Sequence, residues 1–262
     1  MIKEGIELEN IRIIRSSLLL LDGISISFPS KKTSVVMGPS GCGKSIFLKT
    51  AAGLTVPESG GLYLNGKNFH KLSRKNKLKF RKSNGFVFQD SALWANMTVF
   101  QNISLPLLYH FDHLSKSEIA RRINIFTAKL GYNNTTDIRP ANLSVGEKKL
   151  VSVLRALIID PEYIFMDCPT MSVDRNTAVR LLDIIKELKS KKRTIIIATN
   201  DPGLASLLAD YLIILKEGKL LEAGDFANVI KSKNNEVKEI LSSVLNNASS
   251  FDSDLLNLLS NT

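Results

Sequence analysis

Gly38-Pro39-Ser40-Gly41-Cys42-Gly43-Lys44-Ser45 follows a short β-branched run, Thr33 to Val36, and precedes a helical stretch, Ile46 to Ala52. It fits the pattern GxxxxGK[ST], in which a strand runs into a glycine loop and the loop opens a helix. Gly41 and Gly43 tolerate unusual dihedrals and leave room for a phosphate, so the amides of residues 41 to 45 are expected to point into one concavity. Lys44 is then placed to meet β and γ phosphates and Ser45 to meet magnesium. The helix aims the positive end of its dipole at the same phosphates.

The chain has 262 residues, enough for a full core in one large domain or a domain with a subdomain. No apolar run reaches the roughly 18 residues that cross a bilayer, and Met1-Ile2-Lys3-Glu4-Gly5 does not read as a signal peptide, so a cytosolic chain is expected. Two cysteines make no disulfide framework, in keeping with a reducing compartment. The net charge of +10 raises nucleic acid or anionic membrane as partners. The cations are mostly lysines spread along solvent-facing helices, so no nucleic-acid partner is expected. The densest cluster, Lys71 to Lys82, reads as a solvated helix face.

From residue 4 to 28 apolar and polar residues alternate, which predicts antiparallel strands ended by Pro29. Gly60 to Lys67 predicts a strand running into an Asn-Gly turn, so the N-terminal third carries an antiparallel sheet. A basic helix is expected over 73–82 and a short buried strand over 85–89. From about 91 to 157 helical patterns replace strands, with Ser115 to Leu130 the clearest amphipathic helix. Strands return at 163–166, 194–198 and 211–215, separated by helices at 174–190 and 203–209, the alternation of a parallel sheet. A turn at Lys216 to Lys219 precedes a C-terminal helix near 234–246. Asn246 to Ser250 then reads as a flexible link to an apolar end, Leu255 to Leu259.

Tyr163-Ile164-Phe165-Met166-Asp167 is a buried strand that delivers a carboxylate at its C-terminal edge, where open α/β sheets bind ligands. Beside a phosphate loop such an Asp holds magnesium through water. Between the two motifs lie Leu143-Ser144-Val145-Gly146-Glu147 and a helix containing Arg155-Ala156-Leu157.

With these residues the chain resembles the nucleotide-binding subunit of ABC transporters. Residues 38–45 look like Walker A, Gln89 like the Q-loop glutamine, 143–147 like the LSGGQ signature and 163–167 like Walker B. Met171-Ser172-Val173-Asp174 looks like the D-loop, and Asn200 occupies the switch position. The resemblance runs from about residue 4 to 230 in the family's order and spacing. It implies an α/β phosphate-loop NTPase fold of the ABC ATPase kind, with a mixed sheet, an N-terminal antiparallel β-subdomain and an inserted helical subdomain at about 91–157. The ATP-binding domain would span 1–232, followed by a C-terminal helix and flexible tail at 233–262. ATP and magnesium are the implied cofactors, with Ser45, Gln89 and Asp167 toward the metal.

The resemblance also implies that two such subunits, of like or unlike chains, sandwich two nucleotides. Ser144, Gly146 and Glu147 of one would then complete the site of the other. The stretch Gln89 to Ile103 is similar to ATP-binding subunits of bacterial lipid transporters of the Mla and Mce type, implying traffic of phospholipid or another hydrophobic molecule. Implied partners are an integral membrane permease, received in a groove at Trp94 and Met97, and an Mce-type lipid-binding envelope protein. The implied location is peripheral, on the cytoplasmic face of the inner membrane.

Two residues depart from the family pattern where chemistry is expected. Cys168 stands where a glutamate orients or deprotonates water; a thiol, with a reference pKa of about 8.5, is mostly neutral at pH 7 and a weak acceptor. Asn200 stands in place of a histidine, and can donate a hydrogen bond but not carry or relay a proton. Val145 replaces the first signature glycine and Leu150 an arginine. No aromatic precedes Phe28, so an apolar residue such as Ile14 takes the place that stacks on adenine. The expected activity is ATP binding with weak hydrolysis. The alternatives are a working ATPase supported by Gln89, ordered water and the partner's D-loop, or a non-transport ABC ATPase. The last would need a coiled-coil insert or tandem cassettes, and the chain has neither.

Lys44→Ala should abolish magnesium-dependent ATP binding, measured by equilibrium binding of a labelled nucleotide. Binding as tight as that of the parent would refute the phosphate-loop assignment.

Overall fold

The computed structural model describes residues 5–248, with side chains through 242. In chain order it contains strands β1 (Ile6–Arg15), β2 (Leu18–Ser27) and β3 (Thr33–Met37), helix α1 (Lys44–Ala51), then β4 (Ser59–Leu64) and β5 (Lys67–Asn68). Next come α2 (Arg74–Lys82), β6 (Asn84–Val87), α3 (Val99–His110), α4 (Lys116–Lys129), α5 (Val145–Leu157), β7 (Tyr163–Asp167) and α6 (Arg175–Ser190). The remainder is β8 (Thr194–Ala198), α7 (Pro202–Leu208), β9 (Tyr211–Lys216), β10 (Lys219–Asp225), α8 (Phe226–Val229) and α9 (Asn235–Ala248). The chain divides into two units, Met1–Lys71 with Ile196–Thr262, and Leu72–Ile195.

In the first unit, β2-β1-β4-β5 form a sheet whose neighbours all pair antiparallel. The apolar residues of β1 change parity, Ile6 and Leu8 being followed by Ile11 and Ile13, yet all four are buried. A strict period of two would send the second pair to the opposite face. The register slips between Leu8 and Ile11, where Asn10 takes a left-handed φ of 48°, and this bulge returns both isoleucines to the core. Strand β3, Thr-Ser-Val-Val-Met, is buried along its whole length and runs parallel to β9, with Val35 opposite Leu212 and Val36 opposite Ile213. The order here is β10-β9-β3-β8, with β10 antiparallel to β9 across the Glu217-Gly218 turn. That mixture of directions makes the sheet mixed. Helix α1 is anchored by Phe47 and Leu48, both fully buried, and the Phe47 ring lies 5.8 Å from that of Phe28. Helix α9 packs against α7, so the expected C-terminal helix belongs to this unit. It continues through Ala248, which places the first residues of the expected polar link inside a helix. The rest of that link and the apolar run Leu255 to Leu259 lie outside the described residues.

In the second unit β6 and β7 run parallel, Phe86 opposite Phe165 with rings nearly stacked at 6.1 Å, in the order β8-β7-β6. Between Asp90 and Leu157 the described backbone carries no strand, and α3, α4 and α5 occupy that stretch. Each of the three starts with a capping box, Thr98 with Gln101, Ser115 with Glu118 and Ser144 with Glu147. Helix α5 packs against α3 and β6. The basic helix α2 buries only Phe80 and leaves most of its cations in solvent, as a solvated face does; Lys82 lies 3.9 Å over the Phe111 ring.

Phe165→Ala should cost about 3–5 kcal/mol, because a fully buried ring leaves a cavity that neighbouring strands cannot fill. Urea unfolding followed by circular dichroism should show a lowered midpoint with an unchanged slope.

Candidate nucleotide site

The first unit carries the glycine loop. Strand β3 leads directly into Gly38, whose φ is 154° and whose position has no room for a side chain: a Cβ there would stand 2.0 Å from the Leu215 carbonyl oxygen and 2.8 Å from Cys42 Sγ. Gly43, the N-cap of α1 at φ 104°, sits against the Leu20 carbonyl in the same way, at 2.8 Å. The turn is pinned from outside by Gly218, whose amide donates to the Cys42 carbonyl at 3.1 Å. No side chain caps α1, so its N-terminus presents backbone amides without a competing acceptor from a capping residue. The Lys44 side chain is buried and folds over the loop, donating to the carbonyls of Gly38 at 2.8 Å and Pro39 at 2.9 Å. Cys42 is buried beneath Gly38 and burial pushes its thiol up, out of the reactive thiolate range. Both cysteines are free thiols.

At the end of β8 the Thr199 amide donates to the Val36 carbonyl, and Asn200 Nδ2 donates to Ser40 Oγ at 3.3 Å. Asn200 therefore touches the glycine loop through an uncharged amide. Asp201 caps the following helix, accepting from the Leu204 amide.

The second unit carries the remaining candidates. Strand β7 delivers Asp167, 2% exposed, at its C-terminal end, and Cys168 follows in a left-handed conformation with φ 45°. Gln89, just past β6, donates from Nε2 to Met171 Sδ at 3.7 Å, so the positions expected to be the Q-loop and D-loop meet. Ser144 is the N-cap of α5. Its amide and hydroxyl both donate to Glu147 Oε2 at 2.8 Å, and Asn134 donates to Oε1. Those hydrogen bonds, with the Ser144 amide foremost, hold the Glu147 carboxyl below its usual range. Gly146 is a point of close approach, because a Cβ would stand 2.8 Å from Asp174 Oδ2 and from Thr177 Oγ1 at the start of α6. Val145 beside it is 55% exposed, so a side chain there meets no steric bar within the chain.

Trp94 is 58% exposed and, with Phe86, Phe88, Met97, Leu105 and Tyr109, lines a groove of about 610 Å³, so it is not a core residue. Lys149 and Arg155 were not singled out as functional by the sequence. Both turn inward from α5 onto carbonyls of the 88–92 stretch. Two long cations on the packed side of an otherwise apolar helix were the available signal.

The chemistry of these residues suits magnesium with a polyphosphate. The glycine loop carries backbone amides, the Lys44 ammonium and the Ser45 hydroxyl, and a Cβ added at Gly41 would meet nothing within 4 Å, so the loop is open there. Among the described residues no cluster of three or more His, Cys, Asp or Glu is set to hold a metal. A magnesium ion that keeps waters and takes phosphate oxygens needs only one or two protein ligands.

The profile of the ABC transporter family matches residues 21–171, more than half of the chain, and the chain belongs to that family as an ATP-binding domain. It is 29% identical over 239 residues to the methionine import ATP-binding protein MetN of Mannheimia succiniciproducens, covering 89% of this chain and 69% of that protein. It is 27% identical over 237 residues to the intermembrane phospholipid transport system ATP-binding protein MlaF of Haemophilus influenzae, covering 90% and 89%. Its structure is similar, with a TM-score of 0.78 and 25% identity, to a dimeric ATP-binding cassette in a post-hydrolysis state bound to ADP and phosphate; 84% of this chain and 98% of that one are covered. The fold is thus the phosphate-loop NTPase fold of ABC ATPase cassettes. Among the described residues no helix is long and apolar enough to cross a membrane.

Ser144→Ala should cost about 1 kcal/mol of stability at pH 7 by removing a helix cap. The Glu147 carboxyl is lowered in the folded state, so its contribution is complete above its ordinary value of 4.5 and is lost as pH falls through the lowered one. Urea midpoints against pH should therefore show the parent's advantage over Glu147→Gln fading in that acidic window.

Proposed function

We propose that this chain is the MgATP-binding subunit of a bacterial ABC transporter that moves phospholipid or another hydrophobic molecule across the envelope, and that its own site hydrolyses ATP weakly. The observation that carries the proposal is the pairing of a complete glycine loop with two altered positions: Cys168 after buried Asp167, and Asn200 hydrogen-bonded to Ser40.

In this reading the amides of Gly41, Cys42, Gly43, Lys44 and Ser45 bind phosphate oxygens, with Gly38, Pro39 and Ser40 shaping the loop. Lys44 exchanges its two carbonyl partners for β and γ phosphate oxygens, keeping its charge hydrogen-bonded throughout. Ser45, Gln89 and Asp167 would hold the metal, which when bound neutralises charge on the phosphates. Cys168 presents one sulfur, a weak acceptor, where a carboxylate would offer two oxygens, and Asn200 positions by hydrogen bond without carrying charge. Ser144, Gly146 and Glu147 would complete the site of a second ATP-binding subunit, of like or unlike chain.

The groove at Trp94 and Met97 supports docking of a cytoplasmic helix of an integral membrane permease, and with it a peripheral position of the subunit on the cytoplasmic face of the inner membrane. The lipid cargo rests on the stretch Gln89 to Ile103 and is supported by the likeness to MlaF; an Mce-type lipid-binding envelope protein is the further partner it entails. A second reading, a subunit of an amino-acid importer, is favoured by the likeness to MetN. Purification from native membranes separates the two: a permease with a lipid-binding envelope protein is expected, and a permease with an amino-acid-binding protein would overturn the lipid reading.

A dimer made only of this chain should release phosphate about 10² to 10⁴ times more slowly than one carrying Cys168→Glu and Asn200→His together, the range that loss of a positioned base costs. Robust turnover left unchanged by the paired substitution would show that neither residue limits catalysis.

A further inference from the structure

Helix α5 starts at the signature serine and turns two cations inward, Lys149 buried and Arg155 half-buried. Lys149 is 1% exposed, in a stretch where Leu150, Val151, Val153 and Leu154 are buried as well. An apolar side chain would fill that position without the cost of removing an ammonium from water. Its Nζ donates to two consecutive carbonyls, Phe88 at 3.1 Å and Gln89 at 2.7 Å, where the backbone has just left β6. Further along the helix Arg155 spreads its guanidinium over the next pair, Nη2 to Ser91 at 2.9 Å and Nη1 to Ala92 at 2.8 Å. Ser91 and Ala92 both hold positive φ, 65° and 44°, a conformation that non-glycine residues keep only when their surroundings impose it. Beyond them fully buried Asn102 of α3 accepts from the Trp94 amide at 2.9 Å and donates to the Trp94 and Thr98 carbonyls.

We propose that Lys149 is a positioning residue for Gln89: with Arg155 it grips the carbonyls of residues 88 to 92, so that the loop carrying Gln89 at one end and Trp94 at the other moves as one body with the signature helix. The geometry favours this over simple filling of space. Both donors land on main-chain oxygens of one loop, sixty or more positions away in sequence, and none lands on a neighbouring side chain. Burial lowers the ammonium's proton affinity, and the neighbouring Cys168, Asp167 and Asp90 act in the opposite direction. What Gln89 does for the metal belongs to the function proposed above, and the grip on its backbone stands or falls separately.

The chain reports on this itself, because Trp94 is its single tryptophan. In the full-length protein Lys149→Met should raise acrylamide quenching of Trp94 and speed hydrogen exchange across residues 88–98 by about tenfold or more, while peptides of the glycine loop exchange as in the parent. Lys149→Arg, which keeps the charge and the donors, should restore both signals toward the parent. Quenching and exchange in Lys149→Met that match the parent would overturn the proposal, as would an Arg variant as loose as the Met variant. Should the Met variant fail to fold, the parent decides. The hydrogen-bonded amides of Ser91, Trp94 and Met97 should exchange within about tenfold of those of α5, and exchange about a hundredfold faster would overturn the proposal. ATP binding by Lys44→Ala tests the nucleotide site independently of either result.

Discussion

Close approach of main chain to main chain at Gly38 is the constraint on which the first unit's site depends. Strand β3 runs parallel to β9 as far as Met37 opposite Ile214, and at the next step the chain passes so near the Leu215 carbonyl that a β-carbon would lie 2.0 Å from it. With no side chain at Gly38, the chain can turn sharply out of the sheet and return as α1 with Lys44 folded over the loop. Cys42 is buried by the same turn, which makes it a packing residue with its thiol pushed up.

The second unit shows the same principle at helix ends. The N-termini of α5 and α6 come together at Gly146, where Asp174 and Thr177 leave no space for a β-carbon, whereas Val145 projects into solvent. The two glycines of the family's signature are therefore not equivalent here. The one replaced by valine faces outward, and the one retained is held by packing inside the chain. Ser144 and Glu147 close a reciprocal cap on α5, so the residues proposed to meet a second subunit's nucleotide also stabilise their own helix. Any nucleotide contact by the Ser144 hydroxyl competes with its bond to Glu147.

Charge is distributed with a similar economy. The cations that sequence reading assigned to solvent do face it, as on α2, where only Phe80 is buried. Among the described residues Lys44 and Lys149 are buried and Arg155 is half-buried, and all three donate to main-chain carbonyls. Carbonyl oxygens satisfy such a cation's donors without a fixed carboxylate partner. Lys44 is thereby free to change acceptors, while Lys149 and Arg155 hold a loop whose dihedrals would otherwise relax.

Local patterns were legible without coordinates because they rest on forces that act between near neighbours in the chain. Strand alternation, the amphipathic helix at Ser115 to Leu130, the Asn-Gly and Glu-Gly turns and the glycine loop all follow from backbone preference and burial period. The identities of Asp167, Cys168 and Asn200 at the ends of their strands were equally readable, since a hydrophobic run that stops at a polar residue marks where the strand leaves the core. What the tertiary structure decided involves partners distant in sequence. The parity change in β1 required the bulge at Asn10, which only pairing with β2 and β4 defines. The need for glycine at Gly146 arises from α6, and the inward turn of Lys149 from carbonyls sixty positions earlier. No local period encodes such contacts, because they exist only once separate elements have packed and each buried polar group has had to find a partner.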